Sequence, residues 1–248
     1  DVNNGEIISI VSLPDFDPNE RLNISDPNYI NRATKAVYEF GSVFKTFTLA
    51  AGFHEGVIDP HTEFRNLKKS IQCGKNTISE YDKNIPSNLT AEQILIRSGN
   101  IGSVRIAQSV GLEKFKDFMD ELSLLNSIQF DIEEVGVPVS FRWGKCKLAT
   151  ISYGHGITTT ILQLANAYSI IVNGGYKISP TLIKKKKDQK FKKILNNDVS
   201  KKITPILRKV VTMKEGTASL ANISGYQVGG KTGTAQKSTV GGYSKNKI

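Results

Sequence analysis

The chain has 248 residues, of which 39% are hydrophobic and 23% charged, and it carries a formal net charge of +10. These values are ordinary for one large soluble domain with a sizeable core, and no apolar run reaches the roughly 18 residues of a membrane span. Much of the charge excess lies in the run 184–187. Because no aromatic residues interleave with these lysines, we predict a solvated loop and no nucleic-acid partner.

The predicted elements mix helices with short strands. A hairpin-turn signal, Asn3-Asn4-Gly5, precedes a predicted strand over 6–12. A helix is predicted from Ser42 to a terminating Gly52, and Thr90 is predicted to cap another. Apolar spacing predicts further helices over 101–110, 112–125, 161–172 and 202–213, and a short strand over 226–230. Helices between strands at the two ends indicate an α+β fold with the helices packed on a sheet.

Ser42-Val43-Phe44-Lys45 is the first of three candidate catalytic motifs. Residues i and i+3 share a helix face, so the Lys45 amine can take the proton of the Ser42 hydroxyl. That needs a lowered lysine pKa, which apolar neighbours, the helix dipole and a second lysine can supply. By itself the pattern is weak. A helix N-cap is the plainer interpretation of Ser42, and Ser244-Lys245-Asn246-Lys247 matches the pattern by chance.

The second and third motifs are Ser98-Gly99-Asn100 and Lys231-Thr232-Gly233-Thr234. Ser98 can relay a proton and Asn100 can hold a substrate amide, although the tripeptide alone favours a helix-terminating turn. In the third motif a lysine and two hydroxyls can bind a carboxylate, and Gly233 allows close approach, although a tight turn is the plain alternative. Their occurrence in one order favours a serine acyl-transfer site.

The residues around these motifs resemble the monofunctional class B penicillin-binding proteins, and in particular the division-specific septal transpeptidase. The resemblance covers nearly the whole chain and rests on the segments 38–45, 98–102, 152–157 with 162–165, and 229–237. Two departures are visible: Phe40 stands where the family usually has proline, and Gly99 where it often has serine. Neither removes a reacting atom, so we expect altered packing and retained chemistry.

The resemblance implies a peptidoglycan D,D-transpeptidase that cross-links stem peptides through a serine acyl-enzyme and is inhibited by β-lactam antibiotics. It implies no cofactor and no metal. The implied roles are nucleophile for Ser42, base for Lys45, proton relay for Ser98, substrate positioning for Asn100, positive charge for Lys231, and substrate binding for Thr232, Gly233 and Thr234. The backbone N–H groups of Ser42 and Thr234 would form the oxyanion hole.

The resemblance also implies a penicillin-binding/serine β-lactamase-like transpeptidase fold, in which a five-stranded antiparallel sheet has helices on both faces and the third motif lies on an edge strand. Residues 1–248 would then be an incomplete transpeptidase domain: a membrane anchor and pedestal would precede Asp1, and the last strands would follow Ile248. Such a piece is expected to be unstable or inactive in isolation. The implied location is the inner membrane, with the domain on the periplasmic side among divisome membrane proteins.

Three questions stay open at this point. A β-lactam hydrolase would need a water-activating group, and no glutamate loop of the class A type is evident. A β-lactam-binding sensor would acylate once without making a cross-link. Cys73 and Cys146 either pair in an oxidising compartment or are unrelated thiols.

Overall fold

The computed structural model describes residues 1–20, 23, 25–185, 190–234, 238–239 and 242–243. The α-helices in this part of the chain are α1 (Lys45–His54), α2 (Ala91–Ile96), α3 (Asn100–Val110), α4 (Leu112–Glu121), α5 (Lys145–Ile151), α6 (Ile161–Val172) and α7 (Asn197–Thr212). Short 3-10 helices cover Pro27–Tyr29, Gly41–Phe44 and Ser219–Ala221. In the described part of the chain, no helix is both long and apolar enough to cross a membrane.

The strands are short and pair in twos. They are β1 (Glu63–Phe64), β2 (Ser70–Cys73), β3 (Asn76–Ser79), β4 (Leu89–Thr90), β5 (Ser238–Thr239) and β6 (Gly242–Tyr243). β1 pairs with β4, β2 with β3 and β5 with β6, each pair antiparallel. The combination of helices with antiparallel strands confirms the predicted α+β class.

Helix α1 lies at the centre of the core. Every residue from Lys45 to Phe53 is buried, and α1 contacts α2, α3, α4 and α7. A helix that is buried on all sides has no solvent face, so it is surrounded by other elements. Gly52 allows the loop after α1 to pack closely, since a Cβ there would lie 2.6 Å from Ile58 Cδ1. The helix continues through Gly52 to His54, so the predicted end at that glycine is wrong.

Two helix starts follow from capping boxes. Thr90 accepts a hydrogen bond from the backbone of Gln93, whose side chain accepts one from the Thr90 backbone, and Thr160 and Gln163 do the same for α6. The predictions for Thr90 as a cap and for the helix over 161–172 are confirmed. Other boundaries differ, since α4 ends at Glu121 and α7 begins at Asn197 behind an Asn196 cap.

Two strand predictions are wrong. In the predicted strand over 6–12, Glu6 forms an isolated bridge with Thr181, and the predicted strand over 226–230 contains no ladder. The third motif, 231–234, likewise lies outside any strand, and the described residues show two-stranded sheets where the resemblance implied five strands. Alternation of apolar and polar residues, as in 6–12, indicates which side chains would share a face of a strand. It does not show that a partner strand is available to pair with the backbone.

A disulfide joins Cys73 of β2 to Cys146 of α5, with their Cα atoms 5.5 Å apart. It therefore ties the β2–β3 hairpin to the helix that leads into residues 152–156. This answers the question that the sequence left open about the two cysteines.

Candidate active site

Ser42 lies in the 3-10 turn Gly41–Phe44, and Lys45 is the first residue of α1. The single helix predicted from Ser42 is therefore two kinds of helix in succession. Because side chains at i and i+3 eclipse in a 3-10 turn, Ser42 and Lys45 still share one face. The Tyr168 hydroxyl supports the junction, lying 3.2 Å from the Val43 carbonyl oxygen and 2.8 Å from Thr46 Oγ1.

The Lys45 side chain is buried, with 2% of its surface exposed. Its Nζ donates to the Ser98 carbonyl oxygen and lies 3.1 Å from Ser98 Oγ. Burial lowers the pKa of Lys45 well below its ordinary 10.5, the positive charge of Lys231 lowers it further, and the carboxylate of Glu80 acts in the opposite direction. Apolar surroundings and a second lysine are two of the causes that the sequence indicated. A neutral amine beside a hydroxyl can accept a proton.

Ser98 occupies the left-handed position that ends α2. Its φ is +60°, its N–H donates to Leu95 O over 3.1 Å, and the Gly99 N–H donates to Ile94 O over 2.8 Å. These two bonds form a Schellman motif, in which glycine normally takes the left-handed position. The plain interpretation as a helix-terminating turn is thus correct, and the turn itself directs the Ser98 hydroxyl and carbonyl at Lys45.

Asn100 is the first residue of α3, and its side chain is held by the hairpin. Its Nδ2 donates to Ser79 O over 2.7 Å, and its backbone N–H donates to Glu80 Oε2 over 2.7 Å. Glu80 was not singled out by the sequence analysis. A lone carboxylate carries no local signal for a contact made 20 residues along the chain.

The third motif lies against the turn that contains Ser42, and the two segments meet at glycines. A Cβ on Gly41 would collide with the Thr234 carbonyl oxygen, and one on Gly233 would lie 2.5 Å from the Phe40 carbonyl oxygen. Gly154 approaches Gly41 equally closely, and Gly41 and Gly154 both have positive φ. Side chains at these positions would force the segments apart, so glycine is needed to bring Thr234 and Gly154 to the entrance of α1.

Lys231 belongs to a small polar cluster at this segment. Its Nζ lies 3.1 Å from Thr232 Oγ1 and 3.4 Å from Thr217 Oγ1, and the two threonine hydroxyls are 2.7 Å apart. Burial lowers the pKa of Lys231 to about 8. The cluster can present two hydroxyls and a cation to an anionic group. Thr217 lies outside the three motifs, although the family resemblance also extends to residues 216–218.

One cleft of about 720 Å³ collects these groups. The sequence-predicted residues that line it are Ser42, Lys45, Ser98, Asn100, Thr232 and Thr234. Lys231 and Gly233 do not line the cleft but contact residues next to it: Lys231 Nζ lies close to Thr232 Oγ1, and Gly233 packs against the Phe40 carbonyl oxygen. The structure therefore brings residues from three distant parts of the chain to one site.

A further group on the cleft rim was not assigned a role from the sequence. His155 Nδ1 lies 3.8 Å from Glu39 Oε2, and the rings of His155 and Tyr153 stack with centroids 6.0 Å apart. Burial lowers the pKa of His155 and raises that of Tyr153 to about 12. These three residues line the same cleft as Ser42.

A hydroxyl one turn from a buried amine, a helix-end serine and a cationic threonine-rich segment are the side chains of serine acyl-transfer sites that use lysine. The chain matches the family "Penicillin binding protein transpeptidase domain" over residues 1–248 and belongs to it.

Named relatives agree with this membership. The chain is 32% identical over 241 residues to "Probable peptidoglycan D,D-transpeptidase FtsI" of Caulobacter vibrioides, covering 95% of this chain and 40% of that protein. It is 31% identical over 260 residues to "Stage V sporulation protein D" of Bacillus subtilis, covering 98% of this chain and 40% of that protein. A solved apo structure of the transpeptidase domain of Burkholderia pseudomallei penicillin-binding protein 3 has a TM-score of 0.85 at 26% identity, covering 98% of this chain and 70% of that one. The chain thus spans less than half the length of the two named curated relatives.

Proposed function

We propose that this protein is a serine-type peptidoglycan D,D-transpeptidase and that Ser42 is its nucleophile. The observation that carries the proposal is the position of Lys45: its buried amine lies one turn from Ser42 and 3.1 Å from Ser98 Oγ, in a cleft that also holds Thr232 and Thr234. Family membership over residues 1–248 supports it.

In the proposed acylation, Ser42 Oγ attacks the carbonyl carbon of the penultimate D-alanine of a stem peptide, while Lys45 takes the hydroxyl proton. The bond to the terminal D-alanine then breaks, and its amine leaves with a proton passed from Lys45 through Ser98. The product is an ester between Ser42 and the peptide. An amine of a second stem peptide attacks this ester, forms the cross-linking amide and returns the proton to Ser42.

The remaining site residues bind the substrate in this proposal. Thr232 and Thr234 hold the terminal carboxylate, whose negative charge the Lys231 cation attracts. Asn100 orients the peptide, and the backbone N–H groups of Ser42 and Thr234 stabilise the oxyanion, each donor contributing about 3 kcal/mol. The close approach of Thr234 to Gly41 supports this last assignment.

We further propose that the protein works at the inner membrane, with this domain on the periplasmic side and division proteins as partners. A disulfide supports an oxidising compartment, because such bonds are rare in the cytosol. Protease treatment of intact and lysed spheroplasts tests the location: the domain is expected to be cleaved in both. Protection in intact spheroplasts would contradict it.

The decisive experiment is labelling of the full-length protein with fluorescent penicillin, followed by intact mass measurement. We expect one adduct on the wild type and none on Ser42→Ala. Ser244→Ala, at the chance match to the first motif, is the matched control and should label normally. An adduct on Ser42→Ala would remove the nucleophile assignment, and rapid release of hydrolysed penicillin would favour a β-lactam hydrolase.

A stable adduct is also expected of a β-lactam-binding sensor. Incubation with lipid-linked peptidoglycan precursor already polymerised into glycan chains separates the two activities. A transpeptidase produces cross-linked peptides and free D-alanine, and penicillin stops both. Stable labelling with neither product would favour the sensor.

A further inference from the structure

Glu80 holds the start of α3 from outside the cleft. Its Oε2 accepts the Asn100 N–H over 2.7 Å, and its Oε1 accepts the Ile101 N–H over 2.9 Å. A carboxylate at a helix N-terminus satisfies donors that have no partner within the helix, and its charge is favourable there. One side chain therefore fixes the residue that follows the Ser98-Gly99 turn.

The hairpin that carries Glu80 is itself held in place. The Glu80 N–H donates to Lys69 O over 2.9 Å, which extends the β2–β3 pairing by one step, and Ser79 O accepts from Asn100 Nδ2. The disulfide from Cys73 anchors the same hairpin to α5. The carboxylate thus acts from a supported strand pair and not from a loose loop.

The turn between α2 and α3 needs such support. Ser98 is held in a left-handed conformation that costs a non-glycine residue about 1–2 kcal/mol and persists only where the surroundings impose it. The α2 side of the turn is fixed by the Schellman bonds, and the α3 side by Glu80. Ser98 lies between these two fixed ends, where its hydroxyl meets Lys45 Nζ.

We propose that Glu80 is a positioning residue of the acyl-transfer reaction, which fixes the Ser98–Lys45 contact by capping α3 and influences Lys45 through its charge. This inference rests on the proposed function. Glu80 contacts backbone N–H groups of α3, so it acts through Ser98, Asn100 and Lys45 and not on the substrate.

The charge effect has a definite sign. Glu80 raises the pKa of Lys45 against the lowering by burial and by Lys231. Removing the negative charge therefore lowers that pKa further and keeps the amine neutral at lower pH. Other ionisable side chains that line the cleft stay unchanged in the variants below; they are Glu39, Tyr81, Asp82, Arg97, Tyr153, His155 and Glu215.

The test is the rate of acylation by fluorescent penicillin from pH 5 to 10, measured on the full-length protein. We expect Glu80→Gln to lower the maximal rate and to move the acid limb of the profile to lower pH. Glu80→Asp keeps the charge but shortens the side chain, so its acid limb should match the wild type while its maximal rate falls by up to about 10²-fold. Glu113→Gln is the matched control, since Glu113 is an exposed first-turn carboxylate of α4.

A purely structural cap predicts a different result. In that case Glu80→Gln would melt at a lower temperature while its acid limb coincided with those of the wild type and Glu113→Gln, which would overturn the proposal. An Asp variant with the full wild-type rate would overturn the positioning role. Failure of the wild type to label at all would instead reject the proposed function, so the two failures are distinguishable.

Discussion

The left-handed turn at Ser98 predicts that two substitutions with the same loss of chemistry differ in stability. Ser98→Gly and Ser98→Ala both remove the hydroxyl that lies 3.1 Å from Lys45 Nζ. They differ in the backbone, because φ at position 98 is +60° and only glycine adopts this conformation without strain. The difference between the two variants therefore isolates the conformational term.

The left-handed conformation costs an L-residue about 1–2 kcal/mol. We therefore expect the glycine variant to be more stable than the alanine variant by about 1 kcal/mol, which is about 2–4 °C in melting temperature for a chain of this size. Both variants should lose acylation by about 10²-fold or more, because neither has a proton relay. Thermal melts monitored by circular dichroism and penicillin labelling measure the two effects.

Ser103 provides the matched control for this comparison. It is buried within α3, where φ is right-handed and alanine is more favourable than glycine by about 1 kcal/mol. The order of stability should therefore reverse at position 103. The argument from the Schellman turn is refuted by the following pair of results. Ser98→Ala melts at the same temperature as Ser98→Gly or higher, while Ser103→Ala is more stable than Ser103→Gly as expected within a helix.

Three other predictions concern buried charge and covalent support. Lys45→Met should abolish labelling but raise the free energy of unfolding at neutral pH. The pKa of Lys45 is lower in the folded protein than its unfolded value of 10.5. As pH falls between these two pKa values, the wild type therefore loses about 1.4 kcal/mol of stability per pH unit, and the methionine variant does not. Lys231→Arg should keep carboxylate binding above about pH 8, where the wild type weakens as Lys231 loses its proton. Replacing Cys73 and Cys146 by serine removes a disulfide between residues 73 positions apart in the sequence. This should lower the free energy of unfolding by about 4 kcal/mol.

Each of these has a measurement that can contradict it. Urea melts from pH 6 to 10 should show the advantage of the methionine variant shrinking as pH rises, and a constant difference would contradict the buried-amine argument. Penicillin labelling across pH tests the arginine variant, whose profile should lack the fall near pH 8. For the serine pair, an unchanged urea midpoint would show that the hairpin needs no covalent link.

Local spacing in the sequence was enough to predict the candidate site residues and most of the helical framework. Ser42 and Lys45 share a face in either helix type, Thr90 caps α2 as the capping pattern demands, and 161–172 is helical over the predicted range. The alternation over 6–12 did not predict a strand correctly, since a strand also requires a partner backbone.

How these parts meet depends on contacts between segments that are distant in the sequence. Glu80 caps a helix 20 residues away, Cys73 pairs across 73 residues, and Gly41 receives the backbone of Thr234 from the far end of the described chain. None of these contacts follows from local spacing, because each joins segments that are far apart in the sequence. The candidate site residues are thus recognisable from short motifs, while the left-handed turn, the lowered pKa of Lys45 and the shared cleft arise from folding.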